Sequence, residues 1–106
     1  MEKDEWIEKF KQQILPQIIK EYSPKRILLF GSRIKRTSSK NSDLDVIIIS
    51  DSFDKIPFIS RMGYILKKFR FTKHIDYLCY TPEEFERIKD KSSILIDALE
   101  YAETII

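Results

Sequence analysis

The sequence predicts an α+β domain in which a small mixed β-sheet is flanked by helices. Two short apolar runs of strand type, residues 27–30 and 46–49, lie between segments whose apolar residues recur at helical spacing. The connection between these runs is short for a parallel crossover, which favours an antiparallel pair. A third strand is predicted at residues 74–80, after a helix long enough to return the chain. Strands two and three should therefore be parallel if they are neighbours.

The first two helices follow from apolar spacing and from prolines. Residues 2–22 form the first predicted helix, which Pro16 should kink or divide because proline lacks a backbone donor. Residues 53–70 form the second, with Pro57 suited to its first turn. The apolar residues assigned to one face of the second helix are Phe58, Ile59, Met62, Ile65, Leu66 and Phe69.

Two further helices are predicted in the last quarter of the chain. Thr81 followed by Pro82 and by Glu84 three residues on is a helix start of the capping-box type. The last helix is predicted over residues 94–106. Its apolar residues at helical spacing are Ile94, Ala98, Tyr101 and Ile105.

Size and composition limit the function classes. The 106 residues predict a single domain over positions 1–106, with one modest core and no room for a separate acceptor domain. The net charge of +2 is too balanced for nucleic-acid binding on bulk charge alone, and a template-dependent polymerase would need more chain. The single cysteine, Cys79, is predicted to be a core residue. A charged start and the lack of an apolar run near 20 residues long favour a cytoplasmic protein with no membrane contact.

A glycine turn and two alternate carboxylates flank the connection between the first two strands. Asp43 and Asp45 alternate at the start of the second strand, so both should point to one face, and Gly31 should lie beside Asp43. Asp76 on the third strand should reach the same end of the sheet. Crowded carboxylates repel each other unless a divalent cation neutralises them, and oxygen ligands suit magnesium better than zinc.

The turn after the first strand supplies the complementary half of a nucleotide site. Gly31 is one of only two glycines in the chain, and glycine lets a backbone approach a ligand closely. Gly31 and Ser32 offer backbone N–H groups and a hydroxyl to phosphate oxygens. The basic residues of the adjoining loop would add positive potential: Arg33, Lys35, Arg36 and Lys40. A metal-bound nucleoside triphosphate fits this combination.

The pattern Gly31-Ser32, a ten-residue spacer and Asp43-Leu44-Asp45-Val46 resembles the signature of the polymerase-beta-like nucleotidyltransferase superfamily. The length and layout are similar to its minimal nucleotidyltransferases (MNT), which occur with HEPN-domain partners as toxin–antitoxin pairs. The resemblance implies the nucleotidyltransferase fold. It also implies phosphate binding by Gly31, Ser32 and Arg33, and a metal and catalytic set of Asp43, Asp45 and Asp76.

The resemblance also implies an activity and a partner. The activity is the magnesium-dependent transfer of NMP, most simply AMP from ATP, onto a hydroxyl, with a two-metal site. The acceptor would be the HEPN toxin, so the chain would be an adenylylating antitoxin. The alternative is a non-catalytic antitoxin that neutralises a HEPN partner by contact alone. Arg36 favours this alternative, because it stands where the family pattern has a second glycine.

Two smaller predictions concern His74 and the last helix. His74 is predicted only to begin the third strand, because a lone histidine is more often structural than catalytic. The side chains of Ile94, Tyr101 and Ile105 are predicted to form an apolar surface for a second copy of the chain or for the HEPN partner.

Overall fold

The computed structural model describes residues 4–35 and 42–106, which form a mixed sheet with helices on both faces. The α+β prediction is therefore confirmed. None of the helices in these two ranges has the length and apolar character needed to cross a membrane. The helices are α1 Glu5–Gln13, α2 Leu15–Tyr22, α3 Ser32–Lys35, α4 Phe58–Lys68, α5 Pro82–Ile88 and α6 Ser93–Tyr101. The strands are β1 Arg26–Phe30, β2 Leu44–Ile49, β3 Ile75–Tyr80 and β4 Glu103–Thr104.

The N-terminal helical segment is divided, as Pro16 predicted. Asp4 caps α1 by accepting hydrogen bonds from the backbone N–H groups of Trp6 and Ile7. Helix α1 ends at Gln13, and Ile14 is its C-cap residue. Pro16 lies in the first turn of α2, where backbone N–H groups have no intrahelical acceptor, so the missing donor of proline costs no hydrogen bond. The two helices thus bend around the core instead of forming one straight rod.

The strand order in the sheet is β3-β2-β1-β4. Strands β1 and β2 are antiparallel, with Phe30 opposite Asp45, and β2 and β3 are parallel, with Asp45 opposite Asp76. Both predicted pairings are confirmed. The register brings the carboxylates of two strands to one end of the sheet.

The last predicted helix is wrong beyond Tyr101. The chain leaves α6 at Ala102 and forms β4, which pairs antiparallel with β1. The backbone N–H of Ile105 then donates to the carbonyl of Ile27. Pairing with β4 gives hydrogen-bond partners to backbone groups at the edge of β1. The spacing of apolar side chains carries no information about these backbone hydrogen bonds.

The sheet separates two apolar layers. Side chains of Leu29, Val46 and Cys79 lie with α1, α2 and α4, whereas those of Leu28, Ile47 and Ile49 lie with α5 and α6. Strand residues alternate between faces, so each layer takes every second side chain. Cys79 is buried, as predicted, and burial raises the pKa of its thiol to about 12.

The apolar face predicted for the second helix is partly wrong. A 3-10 turn at Asp51–Lys55 precedes α4, and Pro57 is its N-cap residue. The side chains of Phe58, Ile59 and Met62 are exposed, while Ile65 and Phe69 are buried. Arg61 takes an inward position because its guanidinium donates to the carbonyls of Ile56 and Cys79 and pairs with Glu84. A buried charge is tolerated when it is paired and hydrogen-bonded in this way.

Candidate active site

Gly31 forms the turn that follows β1 and touches the second strand. Its φ of +87° lies in the left-handed region, which glycine adopts without steric cost. A Cβ at this position would lie 2.0 Å from Oδ2 of Asp45. Gly31 therefore packs against Asp45, and the prediction that placed it beside Asp43 is corrected. The register explains the difference, because Phe30 is already opposite Asp45.

The three predicted carboxylates meet at this end of the sheet. Asp45 lies in β2 and Asp76 opposite it in β3, while Asp43 is exposed one residue before β2 begins. The pKa of Asp45 is raised to about 6. Burial is the largest cause of this shift, and the charges of Asp76 and Asp43 also contribute to it. A carboxyl group that resists ionisation among other carboxylates indicates a site short of positive charge.

His74 also belongs to this cluster, which the sequence prediction missed. Its Nε2 lies 3.0 Å from Oδ1 of Asp76. One ligand atom from each of Asp43, His74 and Asp76 lies within 4.8 Å of the other two. The alternation of side chains along a strand could have predicted this proximity, because His74 is two residues from Asp76 and can reach the same face.

The donor set fits a divalent cation. Carboxylate oxygens are preferred ligands of hard ions such as Mg²⁺. A cation would offset both causes that raise the pKa of Asp45, which are burial first and then repulsion by Asp76 and Asp43. The described side chains whose ligand atoms lie close enough together for one ion are those of Asp43, His74 and Asp76. Asp45 lies beside them, opposite Asp76 on the neighbouring strand.

The predicted phosphate-binding residues differ in their surroundings. Ser32 begins α3 directly after Gly31 and is partly exposed. Arg33 is buried, with Nε donating to the carbonyl of Ser42 at 2.7 Å and the guanidinium paired with Asp4 at 2.8 Å. Arg33 thus fixes the chain immediately before Asp43. Its predicted contact with a nucleotide stays a prediction.

The remaining basic residues of the predicted loop are only partly described. Lys35 is exposed, with Nζ 3.5 Å from Asp97 and over the ring of Tyr101. Arg36 and Lys40 lie outside the described residues.

Tyr101 is a second residue that the sequence prediction placed elsewhere. Its hydroxyl accepts a hydrogen bond from the backbone N–H of Gly31 at 2.9 Å, so α6 reaches into the glycine turn. Tyr101 was predicted to be part of an apolar contact surface, and 70 residues separate it from Gly31. No local pattern could have related two positions so far apart.

A cavity with several basic lining residues lies on the α4 side of the sheet and shares His74 with the carboxylate cluster. It has a volume of about 500 Å³, and His74 is one of its lining residues. Lys67, Arg70 and Lys73 line it as well.

Comparisons with known proteins agree with this geometry. A comparison with curated protein sequences gave no match. The fold is similar to the crystal structure of a candidate nucleotidyltransferase from Sulfolobus solfataricus, with 21% sequence identity and a TM-score of 0.57. The match covers 84% of this chain and 85% of that one, and at this identity it shows the fold alone.

The family comparison covers nearly the whole chain. The family model described as a nucleotidyltransferase domain matches residues 11–105. This range includes Gly31, Asp43, Asp45, Asp76 and Tyr101, which the fold brings to one end of the sheet. The chain therefore belongs to the nucleotidyltransferase domain family.

Proposed function

We propose that this domain transfers AMP from ATP to a hydroxyl group and releases pyrophosphate. The observation that carries the proposal is the register of Asp45 opposite Asp76, with the Gly31 turn packed against Asp45. It unites a carboxylate cluster with a glycine turn whose missing Cβ lets Asp45 lie against the backbone. Family membership supports nucleotidyl transfer, and the choice of ATP is our inference.

The chemistry requires charge neutralisation and removal of one proton. Two Mg²⁺ ions held by Asp43, Asp45 and Asp76 would neutralise the triphosphate and polarise its α-phosphate. Ser32 and the turn at Gly31 bind and orient the phosphate oxygens, and the missing Cβ of Gly31 lets the Asp45 carboxylate lie directly against this turn. The acceptor oxygen forms a bond to the α-phosphorus as the bond to pyrophosphate breaks. Asp76 accepts the hydroxyl proton on its carboxylate.

The proposed acceptor is a HEPN-domain toxin, which would make this chain its antitoxin. The resemblance to minimal nucleotidyltransferases supports this partner. In the structure the predicted contact surface is smaller than the sequence suggested. Ile94 is 60% exposed on α6, but Tyr101 contacts the glycine turn and Ile105 packs on the core. Ile94 with its exposed neighbour Ile96 is the part that stays available for association with a toxin or a second copy.

Transfer of label from α-³²P-ATP to a co-expressed HEPN-domain protein tests the proposal. We expect labelling that requires Mg²⁺ and is lost in Asp45→Asn. The exposed carboxylate Asp90 provides the matched control, and Asp90→Asn should label at the wild-type rate. Neutralisation of the toxin without any label would contradict transfer and support neutralisation by contact.

Asp76→Asn should separate nucleotide binding from chemistry. A proton acceptor acts mainly on the attacking hydroxyl, so its loss raises the transition state more than the bound ground state. We expect the affinity for Mg-ATP to fall much less than the transfer rate, because Asp43 and Asp45 remain to hold the metal, while transfer slows by about 100-fold or more. Calorimetry and the labelling assay measure the two effects. Transfer at the wild-type rate would show that Asp76 has no role in proton removal.

A further inference from the structure

His74 stands where a metal ligand would stand. Its Nε2 is 3.0 Å from Oδ1 of Asp76, and one ligand atom from each of Asp43, His74 and Asp76 lies within 4.8 Å of the other two. His74 and Asp43 are exposed, and Asp76 is partly exposed. The three side chains can therefore tighten around an ion without disturbing the core.

The separations match the coordination shell of one ion. With metal–ligand distances near 2.1 Å, adjacent ligands of an octahedron are about 3 Å apart and opposite ligands are about 4.2 Å apart. The His74–Asp76 distance of 3.0 Å equals the adjacent separation. The upper limit of 4.8 Å exceeds the opposite separation by only a few tenths of an ångström.

A nitrogen ligand changes which metal the site prefers. Mg²⁺ selects oxygen ligands, whereas a nitrogen ligand favours first-row transition metals, and of these Mn²⁺ is the one that carboxylate ligands also suit. We propose that His74 is a metal ligand together with Asp43 and Asp76, and that it makes this domain bind Mn²⁺ in preference to Mg²⁺. The inference rests on the metal site of the proposed function, but it concerns the identity of the ion and not the reaction.

Binding of the metal alone to the full chain tests the inference. Mn²⁺ affinity is measured by electron paramagnetic resonance, and Mg²⁺ affinity by competition. In His74→Gln the Mn²⁺ affinity should fall by about tenfold or more, because an amide replaces the imidazole. The Mg²⁺ affinity should change by less than about threefold, because the amide oxygen can still serve a hard ion. Thr72→Ala, at an exposed neighbouring position, should alter neither affinity.

A spectroscopic readout separates ligation from a hydrogen bond to Asp76. Electron spin echo of the Mn²⁺-loaded protein should show a ¹⁴N coupling that disappears in His74→Gln. Equal losses of Mn²⁺ and Mg²⁺ affinity, or the absence of the ¹⁴N coupling, would overturn the inference. So would a wild-type protein that binds no Mn²⁺. These outcomes are independent of label transfer, which tests the proposed function and can succeed with Mg²⁺ while His74 stays unliganded.

Discussion

At the scale of single residues, the site depends on an absent side chain. Gly31 leaves space that Asp45 fills, since any Cβ at that position would lie 2.0 Å from the carboxylate. The sequence predicted that Gly31 and the carboxylates belong together, because the short connection between the first two strands favours an antiparallel pair. It did not predict which carboxylate the glycine touches, because that depends on the register of two strands. The position of His74 beside Asp76 was missed because a lone histidine is more often structural, although its spacing of two residues from Asp76 was an available signal.

The two glycines provide a matched pair of substitutions. Gly31→Ala should lower the free energy of unfolding by more than about 1 kcal/mol, because it combines a positive φ with the clash at Asp45. Gly63→Ala on the exposed side of α4 meets nothing within 4 Å. It should raise stability by about 0.5–1 kcal/mol, the usual gain for replacing a helical glycine. Urea unfolding of both variants measures the difference.

A second substitution identifies the source of the Gly31→Ala effect. Asp45→Ala added to Gly31→Ala should recover part of the lost stability, because the carboxylate that meets the new Cβ is gone. If the loss of unfolding free energy in the double variant equals the sum of the losses in the two single variants, only the backbone conformation of Gly31 matters.

The raised pKa of Asp45 makes stability depend on pH. The folded pKa is about 6, above the ordinary value of 3.8 for an aspartate. The stabilising contribution of the protonated group is therefore complete below the lower value and is lost as the pH rises through the higher one. Without metal, lowering the pH from about 7.5 to about 5 should strengthen this contribution by roughly 1 kcal/mol, discounted for solvent screening.

Comparison with Asp45→Asn isolates this contribution. The variant has no carboxyl group at position 45, so the difference in unfolding free energy between it and the wild type should vary with pH in the same window. A constant difference from pH 5 to about 7.5 would contradict the assignment.

At the scale of elements, the end of the chain supports the site. Helix α6 ends at Tyr101, whose hydroxyl holds the Gly31 amide, and β4 then pairs with β1. The start of α6 and the capping box at Thr81 were predictable, because both depend on adjacent residues. The turn into β4 was not, because it depends on a free strand edge elsewhere in the sequence.

Tyr101→Phe should loosen the glycine turn. It removes the hydroxyl that accepts from the Gly31 N–H, so we expect stability to fall by about 1 kcal/mol and the Gly31 amide to exchange faster with solvent. Amide exchange followed by NMR measures the second effect. Tyr64 is 54% exposed on α4, and Tyr64→Phe should leave the Gly31 amide unchanged. An unaltered exchange rate of the Gly31 amide in Tyr101→Phe would show that the turn is stable without the hydroxyl of Tyr101.

At the scale of the whole molecule, the site combines residues from four elements or their ends. Gly31 follows β1, Asp45 lies in β2, Asp76 in β3 and Tyr101 in α6. The strand directions were predictable from connection lengths, and they were sufficient to bring Asp45 and Asp76 together. Contacts between distant segments, such as that of Tyr101 with Gly31, require the assembled fold.

A ligand bound at this site should stabilise the fold as a whole. Mg-ATP at about 100 times its dissociation constant should raise the free energy of unfolding by about 2.7 kcal/mol, and EDTA should remove the gain. The single tryptophan, Trp6, packs edge-on against Phe71, so its fluorescence reports on tertiary structure. Its unfolding curve should shift together with far-UV circular dichroism. A shift that persists in EDTA and in the Asp43→Asn/Asp45→Asn variant would show that these carboxylates do not hold the ligand.

The buried thiol of Cys79 allows the opening rate of the central sheet to be measured by chemical labelling. Cys79 is the only cysteine in the chain and lies on β3, the strand that also carries Asp76. Its thiol has a pKa raised to about 12 by burial, so it is protonated and shielded in the folded state. A disulfide reagent can therefore react only when β3 separates from its neighbours. The labelling rate measures how often that strand opens, and an ion that joins Asp76 to the rest of the cluster should slow it.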